Sequence, residues 1–117
     1  MPEQPINAFT DVFGTDWSIE DIASETRQDL AVRLTQYMRD REVFMYVTDQ
    51  WIMFADESEI SDYAMSSLQT LNKVGVMKGV GESAEGRTII DPKGIVTRAQ
   101  AADILHAFME ILAQFST

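Results

Sequence analysis

Residues 96–108, VTRAQAADILHAF, begin with a short polar motif and continue as a strongly apolar run. Thr97 and Gln100 have the spacing of a capping box, in which each side chain bonds the backbone N–H of the other residue. Apolar residues then recur three and four positions apart, which predicts an amphipathic helix that begins at Thr97. Arg98 therefore stands at the start of a helix, in a chain whose net charge is −10.

The same pattern occurs earlier in the chain. Residues 26–38, TRQDLAVRLTQYM, align without a gap with residues 97–109, TRAQAADILHAFM. Shorter matching segments precede both of them, and these begin at Asp16 and at Asp62. Repetition of one supersecondary unit indicates two units that bury their apolar faces against each other.

Helical periodicity predicts two further helices. One begins at Thr26, which is placed to cap it, and fades in the charged run 39–42. The other begins near Ser61 and ends at Gly75, because glycine suits the left-handed conformation that closes a helix. Beyond Gly75 we expect a loop with at most a short extended pair, and a type I turn at residues 91–94. The predicted fold class is mainly α, a helical bundle of helix-loop-helix repeats with at most short extended segments.

Residues 43–54, VFMYVTDQWIMF, are too apolar for a solvated linker. Their periodicity is unclear, so a strand and a buried helix both remain open. We expect most of the Met and aromatic side chains of this segment in the core. The alternative is an exposed contact surface.

Composition limits the classes of function. A chain of 117 residues with 45% hydrophobic residues suffices for one domain with a real core. The net charge of −10 argues against nucleic acid or anionic lipid as a general partner. The chain has no cysteine, which excludes disulfides, thiolate metal sites and cysteine nucleophiles. No stretch approaches the ~20 apolar residues of a membrane span, and no signal peptide is evident, so an exported protein would have to be longer than this chain.

Several features occur in order across residues 54–112: a Phe-x-Asp opening, an Asp-aromatic-Ala helix start, a helix that ends in Gly-Val, a Gly-rich loop, a Pro turn and a Thr-Arg-Ala-Gln motif. Together they resemble an S-layer homology repeat. The first unit matches this pattern only at its ends and resembles a shortened copy. We therefore expect a flexible leader at residues 1–8, a shortened repeat with an apolar connector at residues 9–53, and a complete repeat at residues 54–117.

The resemblance implies a function. Repeats of this family usually occur in threes and hold exported proteins on bacterial cell walls by binding secondary cell-wall polysaccharide, which often carries pyruvate ketals. In the family, the arginine of the Thr-Arg motif lies in the binding groove, with the aromatic residue and the aspartate of the repeat start nearby. The ligand-binding residues implied here are Arg98, Thr97, Gln100, Asp62, Tyr63, Arg27, Asp16 and Trp17. The implied location is extracellular, at the cell wall or cell surface, as part of a longer exported protein.

The same residues also have structural interpretations. Thr97 and Gln100 would cap a helix whether or not a ligand binds. Arg27, in the shortened unit, would be a structural or solvated residue. Trp17 and Tyr63 would anchor the edge of the core. The chain also departs from the family pattern, since Tyr63 replaces the commoner Trp and the loop after the second helix reads GVGESAEGRT.

The sequence contains no phosphate-binding glycine loop, nucleophile motif or metal-ligand cluster. The acidic residues between Asp56 and Asp62 lack the spacing of an EF-hand, so a solvated acidic helix start is expected instead of a calcium site. The single histidine, His106, is expected to be a plain helix-face residue. We therefore expect no enzyme activity, no cofactor and no bound metal.

A protein-interaction module is the competing class of function. Two repeats cannot complete a three-repeat prism, so a partner protein or a second copy of the chain would cover their exposed apolar faces. The apolar segment 43–54 favours this alternative.

Overall fold

The computed structural model describes residues 19–43 and 48–115, so the leader 1–8 and the candidates Asp16 and Trp17 lie outside the described residues. The elements in chain order are α1 (Ile19–Ile22), α2 (Arg27–Asp40), 3₁₀ turns at Glu57–Glu59 and Asp62–Ala64, α3 (Met65–Lys73), β1 (Gly81–Glu82), β2 (Thr88–Ile89) and α4 (Arg98–Phe115). The strands pair antiparallel, with Gly81 opposite Ile89. The prediction of a mainly α fold is confirmed. Among the described helices, none combines the length and the apolarity needed to cross a bilayer.

Both predicted helix caps form. The hydroxyl of Thr26, the N-cap of α2, accepts the backbone N–H of Asp29 at 3.2 Å. At the start of α4 the backbone N–H of Gln100 donates to Thr97 Oγ1 at 3.1 Å, and the N–H of Thr97 donates to Gln100 Oε1 at 3.0 Å. Each cap satisfies N–H groups that have no partner inside the helix, so local chemistry fixes where these helices begin.

The end of α3 also follows the sequence pattern. Gly75 has a φ of +84°, a left-handed conformation that is easiest for glycine. The N–H of Val76 reaches back to the carbonyl of Leu71 at 2.9 Å, and the N–H of Gly75 reaches the carbonyl of Asn72 at 3.1 Å. This pair of bonds is a Schellman motif, and it turns the chain out of α3 into the loop 75–80.

A single hydrophobic core joins the two units. Helix α2 packs along α3, and α1 packs against α4. The buried apolar side chains come from all four helices and from the connecting loops: Ile22, Leu30, Ala31, Leu34, Met38, Phe54, Ile60, Ala64, Leu68, Leu71, Val76, Met77, Ile90, Val96, Ala101, Leu105, Phe108 and Leu112. The side chains of residues 19–43 and 48–115 therefore share one core in the described part of the chain.

The apolar connector is divided between the core and the surface. Phe54 is buried, and Ile52 packs partly against the core. The buried amide of Gln69 bonds both backbone groups of Ile52, at 3.0 Å to its N–H and at 2.7 Å to its carbonyl. Trp51 and Met53 are 52% and 55% exposed, so the expectation of core positions is wrong for these two side chains. The side chains alternate in and out along an extended segment, as the spacing of a strand would give.

The turn 91–94 closes over the start of α2. The N–H of Gly94 bonds the carbonyl of Asp91 at 3.1 Å, which confirms the predicted turn. The first two N–H groups of α2, from Arg27 and Gln28, donate to the carbonyls of Gly94 and Pro92 at 3.0 and 2.9 Å. The start of α2 therefore lies directly beneath the segment that leads into α4.

Candidate ligand-binding site

Arg27 lies where the start of α2 meets the turn 91–94 and the start of α4. Its side chain is only 11% exposed. Nη1 donates to the carboxylate of Asp91 at 3.2 Å and to the carbonyl oxygen of the same residue at 3.4 Å, while Nη2 donates to Oε1 of Gln100 at 2.5 Å. One guanidinium thus links α2, the turn 91–94 and the first turn of α4. The structural interpretation of Arg27 is confirmed by these contacts.

The side-chain oxygen of Gln100 has two partners. It accepts the backbone N–H of Thr97 within the capping box and the Nη2–H of Arg27 from the other unit. Both bonds are accepted by Oε1, so together they fix which way the side-chain amide of Gln100 is turned. The helix cap and the contact between the units are therefore the same structural feature.

Gly94 leaves room for this arrangement. A Cβ atom at this position would fall on Nη1 of Arg27 and on the carboxylate of Asp91. Any larger residue would have to push the ion pair apart. The glycine at the fourth position of the turn thus leaves room for the ion pair between Arg27 and Asp91.

A cavity of about 640 Å³ lies between α4 and the loop 75–80, with Arg27 and Gln100 in its wall. This volume is within the usual range for small-molecule sites. The side chains in the wall include buried apolar residues (Val76, Met77 and Ile90) and exposed polar residues (Lys78, Asp103, His106 and Glu110). The cavity therefore presents both apolar and hydrogen-bonding surface.

The loop wall of the cavity depends on Gly79. This residue has a φ of +99°, and a Cβ there would meet the side chain of Thr88 and the carbonyl oxygen of Ile89. The loop approaches β2 so closely that Val80 donates its N–H to Ile89 at 2.8 Å. The Gly-rich composition of the loop is thus explained by its contact with the two-stranded ribbon.

Asp56 holds the chain next to Arg27, a role that the sequence reasoning missed. Its carboxylate accepts the N–H of Ile90 at 3.0 Å and the N–H of Asp91 at 2.8 Å. From the sequence, Asp56 was expected to belong to a solvated acidic helix start. Its place in the Phe-x-Asp opening was the available signal, but the partner N–H groups lie more than thirty residues away.

Tyr63 and the start of α2 meet at a second contact. The buried amide of Gln28 bonds the N–H and the hydroxyl of Ser61, both at 3.0 Å, and also donates to the phenol oxygen of Tyr63 at 3.2 Å. The phenol donates to Asp29 at 2.7 Å, and this bond raises the pKa of Tyr63 above its usual 10.0. Tyr63 is 62% exposed, so its interpretation as a core-edge anchor is wrong.

Arg98 lies in a different environment from Arg27, although both follow a capping threonine. Arg98, Thr97 and Asp62 are exposed, and none of the three is in the wall of the cavity. The physical reason is packing: the start of α2 is covered by the turn 91–94, and the start of α4 is at the surface of the described residues. His106 is also exposed, as expected, and it pairs with Glu110 at 3.4 Å at the edge of the cavity.

The substitution Arg27→Ala is expected to lower the free energy of unfolding by about 1–3 kcal/mol, because it removes bonds made by a largely buried charged group. Arg98→Ala serves as the matched control and is expected to cost no more than about 0.5 kcal/mol, as is usual for exposed positions. Urea denaturation followed by circular dichroism measures both values. Equal losses for the two variants would contradict the structural role of Arg27.

Comparison with known proteins agrees with the pattern in the second unit. Residues 54–102 match the family described as S-layer homology domain. Exoglucanase XynX of Acetivibrio thermocellus is 37% identical over 57 residues, which are 49% of this chain and 5% of that protein, so the chain spans a small part of its length. No solved structure gives a significant match. The matched residues 54–102 lie within the segment whose motifs resemble an S-layer homology repeat, so this part of the chain is similar to that family.

Proposed function

We propose that this chain is a non-catalytic module that anchors a longer exported protein to the cell wall, by binding secondary cell-wall polysaccharide that carries pyruvate ketals. The observation that carries the proposal is the position of the Arg27 guanidinium in the wall of a cavity next to Gln100. The implied location is the outside of the cell, at the wall or the surface.

The guanidinium of Arg27 has donors left for a ligand. Of the five N–H groups of an arginine side chain, those on Nη1 and one on Nη2 are directed to Asp91 and Gln100. The Nε–H and the second Nη2–H make no hydrogen bond to the described residues. A pyruvate ketal presents a carboxylate, which a planar guanidinium can meet with two parallel hydrogen bonds.

The rest of the cavity wall suits a sugar ring. The ring has apolar C–H faces and polar hydroxyl edges, and the wall combines buried Val76, Met77 and Ile90 with exposed polar side chains. The exposed candidates from the sequence pattern, Arg98 and Tyr63, are proposed to contact neighbouring sugars of the same polymer outside the cavity.

Short-range contacts must supply the affinity. With a net charge of −10 the chain gains nothing from long-range attraction of an anionic polymer. A polymer with many identical repeats offsets this cost when several binding units of one protein engage it together, since each later contact is intramolecular.

We expect isothermal titration with purified pyruvylated wall polysaccharide to show binding that Arg27→Lys weakens by about tenfold or more, since lysine keeps the charge but loses the two-point geometry. Arg98→Lys is the matched control and should have a smaller effect. Polymer from which pyruvate has been removed should bind the wild type more weakly.

A folded wild type that does not bind the pyruvylated polymer would refute the proposed function. A larger loss from Arg98→Lys than from Arg27→Lys would instead locate the site at the start of α4.

The second candidate function is a protein-interaction or self-association module. Trp51 and Met53, both about half exposed, favour it, and the indole N–H of Trp51 donates to Glu57 at 3.2 Å, which holds the ring at the surface. Under this alternative, sedimentation velocity should show association that increases with protein concentration and that Trp51→Ser weakens. A single monomeric species over a wide concentration range would exclude self-association.

A further inference from the structure

The carboxylate of Asp91 neutralises Arg27 from outside the cavity. Its Oδ2 lies 3.2 Å from Nη1 of Arg27, yet Asp91 is not among the residues in the cavity wall, whereas Arg27 and Gln100 are. A ligand that uses the Nε–H and the second Nη2–H would therefore meet the guanidinium at a different edge from Asp91, which is bonded to Nη1. Asp91 does not block the cavity, but its negative charge is close to any anion bound there.

Among the described residues that line the cavity, positive charges do not outnumber negative ones. Arg27 and Lys78 are its basic residues, and Asp103 and Glu110 are its acidic residues. Asp91 adds a further negative charge directly beside the least exposed cation. The cavity thus differs from an electrostatic trap, in which positive charges outnumber negative ones.

Asp91 is fixed in this position by its backbone. Asp56 accepts its N–H at 2.8 Å, and its carbonyl oxygen accepts the N–H of Gly94 at 3.1 Å. Its φ of +53° is a left-handed conformation that aspartate tolerates better than most residues. These contacts fix the backbone of Asp91 at a position from which its carboxylate reaches Arg27.

We infer that Asp91 is a specificity-determining residue of the cavity, which prevents small or repetitive anions from binding by charge alone and makes binding depend on the sugar that carries the carboxylate. This inference rests on the proposed function of the cavity. Asp91 acts through Arg27: its carboxylate holds the guanidinium in position and adds a negative charge beside it.

The expected size of the effect follows from the distance between two carboxylates on opposite sides of a guanidinium. At roughly 7 Å and a dielectric constant between about 40 and 80, their repulsion weakens anion binding about three- to sevenfold. The side chain of Asp91 is 52% exposed, so solvent screening keeps the effect near the lower end of that range.

To test this, the affinity of Asp91→Asn is measured by titration with pyruvylated wall polysaccharide and with the same polymer after removal of pyruvate. Asparagine keeps the shape of the side chain, accepts a bond from Arg27 and tolerates the left-handed backbone. Asp40→Asn is the matched control, because it removes the same charge from an exposed position at the end of α2, away from the cavity. Asp91→Gly is a second variant, which removes the carboxylate without backbone strain.

Asp91→Asn and Asp91→Gly should bind the pyruvylated polymer about threefold more tightly than the wild type, with a steeper loss of affinity as salt is added. Their affinity for the polymer without pyruvate should be unchanged, and Asp40→Asn should match the wild type on both polymers. A merely structural role for Asp91 would change affinity for the two polymers equally.

The inference is wrong if Asp91→Asn has the same affinity for both polymers as Asp40→Asn does. It is also wrong if the affinity of Asp91→Asn rises equally for the two polymers. If the wild type binds and Arg27→Lys weakens binding while both Asp91 variants have no effect, only this inference fails. If neither the wild type nor Asp91→Asn binds the pyruvylated polymer, the proposed function fails together with it.

Discussion

The burial of one guanidinium constrains the whole junction between the two units. A charged group that is largely removed from water must be paired and hydrogen-bonded, or the fold loses several kcal/mol. Arg27 meets this requirement with a carboxylate from the turn 91–94 and an amide from the first turn of α4. These bonds hold both partners next to the start of α2, and Arg27 and Gln100 also lie in the wall of the cavity between α4 and the loop 75–80.

The local features of the fold were predictable from the sequence because their causes are local. Thr97 and Gln100 are three residues apart, and Gly75 follows directly on the helix that it ends. A hydrogen bond across such a short separation depends on residue type and spacing alone. The same reasoning held for the turn 91–94, where Asp, Pro and Gly occupy positions that favour a type I turn.

The site was less predictable, because it is made by contacts between distant parts of the chain. Arg27 is 64 residues from Asp91 and 73 residues from Gln100. Arg27 and Arg98 both follow a capping threonine at the start of a helix, and this shared Thr-Arg motif does not show which of them is enclosed. The difference arises from the turn that covers the start of α2. The pairing of Asp56 with two backbone N–H groups was missed for the same reason.

The proposed site requires that Arg27, and not the exposed Arg98, binds the ligand. NMR spectra of the arginine side-chain Nε–H groups, recorded while a pyruvylated wall oligosaccharide is added, test this claim most directly. We expect a saturable change in the chemical shift of the Arg27 Nε–H signal and little change in that of Arg98. The Arg27 signal is assigned by its absence from the spectrum of Arg27→Lys. A response at Arg98 with an unchanged Arg27 signal would contradict the proposed site.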